Sequence, residues 1–168
     1  LKISVRNHTE VNGINPGTHE IVIGEERVKY SKLVLASGAT VNRLSFPGSD
    51  SDKILSINDL MDYRVFRNRI IDNNHVLIMG AGLIGCEYAN DLLNGEYRTT
   101  IVDPASTALS GLVPSFAGEA LVDGLQAAGA RFHLNRYVAS VTDNGNTMTA
   151  KLDDETEIEC DLIISAVG

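Results

Sequence analysis

Tryptophan is absent from this 168-residue sequence, aromatic residues make up only 5% of it, and cysteine occurs twice. Cys86 and Cys160 stand far apart with no other thiol near either, which excludes a CxxC redox pair and a cysteine-based zinc site and fits a reducing, cytoplasmic setting. Basic charge is scarce: 14 Lys plus Arg against 22 Asp plus Glu give a formal net charge of -8, the wrong sign for neutralising nucleic-acid phosphates. Long apolar runs are missing too. The longest, Val76 to Gly85, contains three glycines and is about half of what a membrane-spanning helix needs, so membrane insertion is not expected. The chain opens on Leu1 without a basic region and hydrophobic run, and closes on Ala166-Val167-Gly168, which reads as a segment of a longer protein. What is present, 43% hydrophobic and 21% charged residues, is the balance of a folded chain with a real core.

Short β-branched or alternating runs fill the first 38 residues: Lys2 to Val5, Val11 to Ile14, Glu20 to Ile23, Val28 to Tyr30 and Leu33 to Ala36. Asn12-Gly13 and Asn15-Pro16-Gly17 read as turns between them. The stretch Ser45 to Asp52 has linker composition around Pro47-Gly48, so a boundary is expected between residues 1–48 and 49–168. Asn58 is positioned to cap a connecting helix carrying Leu60, Met61, Val65, Ile70 and Ile71.

From Val76 the pattern becomes strand, helix, strand. Val76 to Met79 suits a fully buried parallel strand. A helix to about Leu93 should follow, capped by Gly95, and Thr99 to Asp103 forms the next strand. Ser115 is placed to cap a helix carrying Phe116, Leu121, Val122 and Leu125, ended by Gly129 before the strand Ala130 to Leu134. Three more strands between Tyr137 and Cys160 form a meander with a turn at Asn144-Gly145, and Leu162 to Ile164 makes a final buried strand. The expected class is α/β: a doubly wound Rossmann-like domain with a three-stranded β-meander, preceded by a β-rich tail. Both ends of the chain read as a hairpin followed by an apolar strand, Lys32 to Gly38 and Asp161 to Gly168, the pattern of an internal repeat.

Between the first two strands of that domain lies Gly80-Ala81-Gly82-Leu83-Ile84-Gly85. Three glycines alone are a weak signal. At this place each has a job: Gly80 for the tight turn, Gly82 for close approach of a pyrophosphate, Gly85 for helix-strand packing. The helix N-terminus favours a bound anion by ~0.3–1 kcal/mol, up to ~2 when partly buried. Asp103 ends the second strand, where a carboxylate accepts hydrogen bonds from an adenosine ribose and repels a 2'-phosphate. Pro104 follows and no Lys or Arg stands close behind it, so NADH is expected over NADPH. The alternative is a structural glycine turn beside a solvated acid. His8, His19, His75 and His133 form no catalytic set and read as surface or packing residues. Cys86 reads as packing, with a thiol activated by the helix N-terminus as the alternative, and Cys160 reads the same way. Glu87 either favours the helix dipole or faces the nicotinamide half of a dinucleotide. With no catalytic side chain in view, a bound cofactor must carry the chemistry.

Lys32 to Ala39, Phe46-Pro47-Gly48, the Gly80 to Glu87 loop and Asp161 to Gly168 resemble successive motifs of the FAD-dependent pyridine nucleotide-disulfide oxidoreductases. Within that family, Gly80 to Leu92 and Val11 to Gly17 are similar to the rubredoxin-NAD reductase branch. The resemblance implies that NADH delivers hydride to FAD, which passes electrons singly to rubredoxin or a similar small iron carrier, in alkane-oxidising bacteria on to a membrane hydroxylase. It places Gly80, Ala81, Gly82, Leu83, Ile84, Gly85, Glu87, Asp103, Pro104, Ala166, Val167 and Gly168 at NADH, and Ala36, Ser37 and Gly38 at FAD. The family's first FAD-binding glycine motif and its later Gly-Asp motif are absent here, so residues 1–48 read as the end of a truncated FAD-binding domain and this segment is expected to be inactive by itself. The missing CxxC favours the branch that serves iron proteins. Alternatives are a redox-sensing NADH module without turnover and a ferredoxin- or nitrite-reductase-type flavoprotein. Arg64, Arg67 and Arg69 read as a solvated helix face, or as a dock for an acidic carrier. The first strands, lacking sheet partners, either pack on the NADH-binding part or form a homodimer by strand exchange.

Overall fold

Asn15-Pro16-Gly17 and Gly24-Glu25 are the turns that fold the first strands together. The Asn15 side chain accepts from the N–H of Gly17 and of Thr18, and Gly24 takes the left-handed φ of +60° that a two-residue hairpin needs. The result is an antiparallel sheet of β1 (Gly13–Asn15), β2 (Glu20–Ile23) and β3 (Glu26–Lys29), with Arg6 paired to Glu26 at 2.6 Å. The computed structural model describes residues 3–46, 53–71 and 74–167. The chain divides into two compact units, residues 1–38 and 39–168. The boundary expected at residues 48 and 49 and the Pro47-Gly48 pair lie outside the described residues.

Several expectations for the first unit fail. Asn12-Gly13 is not a turn: Asn12 donates its N–H to Val22 O and Gly13 is already paired with Val22, so the strand expected at Val11 to Ile14 starts later. The strand expected at Val28 to Tyr30 begins earlier, at Glu26. Residues 3–5 and Leu33 to Ala36 are not strands. A strand forms only where a neighbour takes its N–H and C=O groups, and among the described residues none runs beside Leu33 to Ala36, where Val34 and Leu35 stand 83% and 71% exposed. The likeness between the two ends of the chain therefore holds for the hairpin and not for the strand after it.

The second unit runs β4 (Ile54–Leu55), α1 (Leu60–Ile70), β5 (His75–Met79), α2 (Leu83–Asn94), β6 (Arg98–Asp103), α3 (Ser115–Ala127), β7 (Arg131–Leu134), β8 (Val138–Asp143), β9 (Met148–Leu152), β10 (Glu157–Cys160) and β11 (Leu162–Ser165). The parallel sheet has the order β4-β11-β5-β6-β7, the doubly wound arrangement that the alternating pattern implied. Side chains alternate across it. Val76, Ile78, Ile101, Leu162 and Ile164 pack against the helices through Phe66, Ala89, Leu92, Val122 and Leu125. Leu77, Met79, Val102 and Ile163 face the β8-β9-β10 meander through Val141, Met148, Ala150, Leu152 and Ile158. Each such side chain removed from water stabilises the fold by about 1.5–3 kcal/mol before chain entropy is counted. No helix among the described residues is long and apolar enough to cross a membrane.

Two helix caps differ from expectation. Asp59, not Asn58, caps α1, accepting from the N–H of Met61 and Asp62, while the Asn58 amide donates to Ala39 O. Pro114 precedes α3, and Ser115 is its first residue with no side-chain cap. The faces also shift: Leu60, Met61, Val65, Ile71 and Phe116 are exposed, and Phe66 and Ile70 are what α1 buries. Gly95 and Gly129 do end their helices, Gly129 at φ +110°, and Gly145 makes the β8-β9 turn at φ +91°.

His75 is 4% exposed. The Arg98 guanidinium donates to its Nδ1 at 3.0 Å, so Nδ1 is the acceptor and Nε2 carries the proton that meets Thr100 Oγ1 at 2.8 Å. Burial first, then the positive charge of Arg98, holds this imidazole below its usual 6.5. A group that protonates more readily unfolded than folded leaves full stability above 6.5 and withdraws it as the pH falls from there through the folded-state value. Thermal melts should therefore fall more steeply below pH 6.5 in the wild type than in His75→Gln; parallel curves would show that His75 does not report this burial.

Candidate functional site

β5 ends at Met79 and the chain turns at Gly80, with φ +107°. Gly80 donates its N–H to Val102 O and Ala166 donates to Met79 O, both at 2.8 Å, which seats the turn between the ends of β6 and β11. A Cβ on Gly80 would lie 2.9 Å from Ala166 O, and one on Gly85 only 2.0 Å from Gly80 O. Both glycines are required by the fold itself. Gly82 differs: its φ of -73° and ψ of -172° are open to any residue, and a Cβ there would meet nothing within 4 Å. Of the loop's three glycines, Gly82 is the one that the packing does not need, and a gap lies there.

Gly82 is also the N-cap of α2, without a side-chain acceptor, and no acidic residue lies in the first turn. The N–H groups that open an α-helix have no intrahelical partner and carry the positive end of its dipole. Leu83 and Ile84 beside the gap are about half exposed. Asp103 holds the loop from below. One of its carboxylate oxygens accepts from Ala81 N–H at 2.6 Å and the other from Ala105 N–H at 2.7 Å. Each oxygen keeps a further lone pair for a hydroxyl donor. The sequence placed Asp103 next to the loop but not as its fastener.

Two cavities flank the loop at the carboxyl ends of the strands, where ligands of open α/β sheets bind. One of about 240 Å³ is walled by Met79, Gly80, Val102, Pro104, Tyr137 and Val138 and is chiefly apolar. The other, about 330 Å³, is lined by Ser56, Asn58, Ile84, Ser165, Ala166 and Val167, among others. Ser165 is 7% exposed and its hydroxyl has no partner among the described residues. Tyr137, Val138 and Ser165 went unread in the sequence; the one available signal was a serine ending the apolar run Leu162-Ile163-Ile164.

The remaining candidates separate. Glu87 is exposed on α2 and lines neither cavity. Cys86 is buried and its thiol donates to Ala81 O at 3.4 Å; burial raises its pKa, so it packs the loop and is not an activated thiol. Cys160 is pushed up to about 12 by burial. Ala36, Ser37 and Gly38 end the first unit, exposed and outside regular structure, with Gly38 at φ +77°. Gly168 lies outside the described residues. Arg64 and Arg67 are exposed on α1 and Arg69 is half-buried.

Known proteins resemble this chain over nearly its whole length. The rubredoxin-NAD(+) reductase of Alcanivorax borkumensis is 38% identical over 170 residues, covering all of this chain and 44% of its own length. A nitric oxide reductase FlRd-NAD(+) reductase of Vibrio vulnificus is 32% identical over 166 residues, 99% of this chain and 44% of its own. The crystal structure of a ferredoxin reductase from Rhodopseudomonas palustris superimposes with a TM-score of 0.77 at 25% identity, over 95% of this chain and 40% of that one. The chain thus spans less than half the length of these relatives. The family profile described as pyridine nucleotide-disulphide oxidoreductase matches residues 1–168, and the chain belongs to that family.

Proposed function

We propose that the second unit is the NADH-binding part of an FAD-dependent reductase that supplies electrons to a rubredoxin-type iron carrier in the cytoplasm. The observation that carries this reading is the gap at Gly82. A loop whose first and third glycines are enforced by 2.9 Å and 2.0 Å approaches, and whose middle one faces open space at an uncapped helix N-terminus, has the shape of a pyrophosphate cradle. In this reading the first N–H groups of α2 hold the pyrophosphate and Asp103 receives the ribose hydroxyls. The cavity walled by Met79, Pro104, Tyr137 and Val138 takes the adenine. Ala166, Val167 and Ser165 line the side toward the nicotinamide, where the free hydroxyl of Ser165 suits an amide. Nicotinamide and flavin together supply hydride transfer followed by single-electron release; this chain's part is to bind, orient and exclude water. Ala36, Ser37 and Gly38, with the rest of the first unit, belong in this reading to the FAD-binding part.

Relatives named for rubredoxin and for flavorubredoxin both match this chain over 99% or more of its length, and the higher identity favours rubredoxin. The test uses the protein that contains this chain, loaded with FAD. NADH should bleach the flavin anaerobically, and added rubredoxin should re-oxidise it faster than flavorubredoxin does. Loss of flavin reduction would remove the reductase reading in favour of a sensor, and faster turnover with flavorubredoxin would reassign the carrier.

A further inference from the structure

The face of the parallel sheet that meets the meander is apolar over its carboxyl half, through Leu77, Met79, Val102 and Ile163, and polar over its amino half. In-register pairs place His75 beside Arg98 and Thr100 beside Arg131, and the two-residue alternation puts His133 on the same face as Arg131. These five side chains line a cavity of about 290 Å³ whose opposite wall is Thr156 to Glu159. It lies at the amino ends of the strands, at the other end of the sheet from the glycine loop.

Two guanidiniums on one wall, in a chain of net charge -8, call for a reason. Neither Arg98 nor Arg131 has a carboxylate ion partner among the described residues. Of the two acids on the opposite wall, Glu159 accepts from the Thr147 hydroxyl, and among the described residues neither Glu157 nor Glu159 forms an ion pair with either arginine. Arg98 is held in place. It donates one N–H to the buried His75 ring, which is itself fixed by Thr100, 1% exposed. A guanidinium pinned by one of its five N–H groups presents the others in a fixed fork, and a second guanidinium beside it supplies the charge that a doubly negative oxyanion needs.

We propose that this cavity is an anion site, distinct from the glycine loop, that takes a phosphate group through Arg98 and Arg131 with His133 and Thr156 beside them. Free phosphate and a small phosphate ester share this chemistry, and the volume leaves room for either. Nothing in the proposal rests on the NADH reading.

The test is a titration of this chain with inorganic phosphate, followed by amide resonances, against chloride at matched ionic strength. Phosphate should shift the amides of Arg98, Thr100, Arg131 to His133 and Thr156 to Glu159 in a saturable way that chloride does not reproduce. Arg131→Gln, at an exposed first position of an edge strand, should weaken binding about tenfold or more, while Arg64→Gln on α1 should not change it. Glycerol 3-phosphate binding tighter than phosphate would identify an ester as the ligand, and equal affinity would identify free phosphate. Shifts confined to residues 81–86, shifts equal in chloride, or unchanged affinity in Arg131→Gln would each overturn the proposal.

Discussion

Gly82→Asp is expected to leave the protein as stable as the wild type or more so, and to weaken NADH binding about a hundredfold. The two effects part because they have different origins. An Asp at the N-cap accepts from the N–H groups of the first turn and suits the helix dipole, the extended backbone of Gly82 accommodates it, and its Cβ meets nothing. The same carboxylate occupies the space a pyrophosphate would need and repels it. Losing about two charge-assisted hydrogen bonds of ~1.5–3 kcal/mol each is more than sufficient for two decades in Kd. Gly85→Ala should do the reverse in kind. Its Cβ would stand 2.0 Å from Gly80 O, a backbone atom that cannot move without tearing the turn from β6 and β11, so a loss of about 3 kcal/mol is expected, or roughly 6–12 °C in Tm. Melting curves and calorimetric titrations of both variants check the pair. Equal destabilisation by both would mean that Gly82 is a structural glycine after all.

Asp103 carries two tasks, and a graded series separates them. Asp103→Ala removes the acceptor for the N–H of both Ala81 and Ala105 and should cost about 1.5–3 kcal/mol along with most of the NADH affinity. Asp103→Asn keeps one acceptor and no charge. It should retain part of the stability, bind NADH less tightly, and lose the repulsion that disfavours a 2'-phosphate, so that the ratio of NADPH to NADH affinity rises about tenfold. Parallel titrations with the two nucleotides read that ratio directly. A ratio unchanged in Asp103→Asn would confine this residue to holding the loop.

What could be read from the chain depended on how locally each feature is determined. The stretch Val76 to Gly85 declared itself because a strand buried on both faces, a positive-φ turn and a close helix contact each demand a particular residue type within a few positions. The meander and its Asn144-Gly145 turn were legible for the same reason. Leu33 to Ala36 has strand composition just as clear as Leu162 to Ser165, yet only the latter has β4 and β5 on either side to receive its hydrogen bonds; strand composition without a neighbour is not a strand. The capping errors are of one residue each. Asp59 and Asn58 are both good caps, and the choice was made by Ala39 O, which takes the Asn58 amide. The second task of Asp103 was hidden because it depends on where Ala81 N–H points, and the cavity at the amino ends of the strands was hidden because register between β5, β6 and β7 brings together residues 23 and 31 positions apart. Scattered as they are in sequence, His75, Arg98, Thr100, Arg131 and His133 show no motif.

The most direct measurement of the central claim is a calorimetric titration of this chain with NADH, in the wild type and in Gly82→Asp. One-site binding in the wild type that weakens about a hundredfold in a variant with an undiminished Tm establishes the gap at Gly82 as the seat of the pyrophosphate. NADH affinity unchanged by the substitution, or no binding to the folded wild type at all, would contradict it.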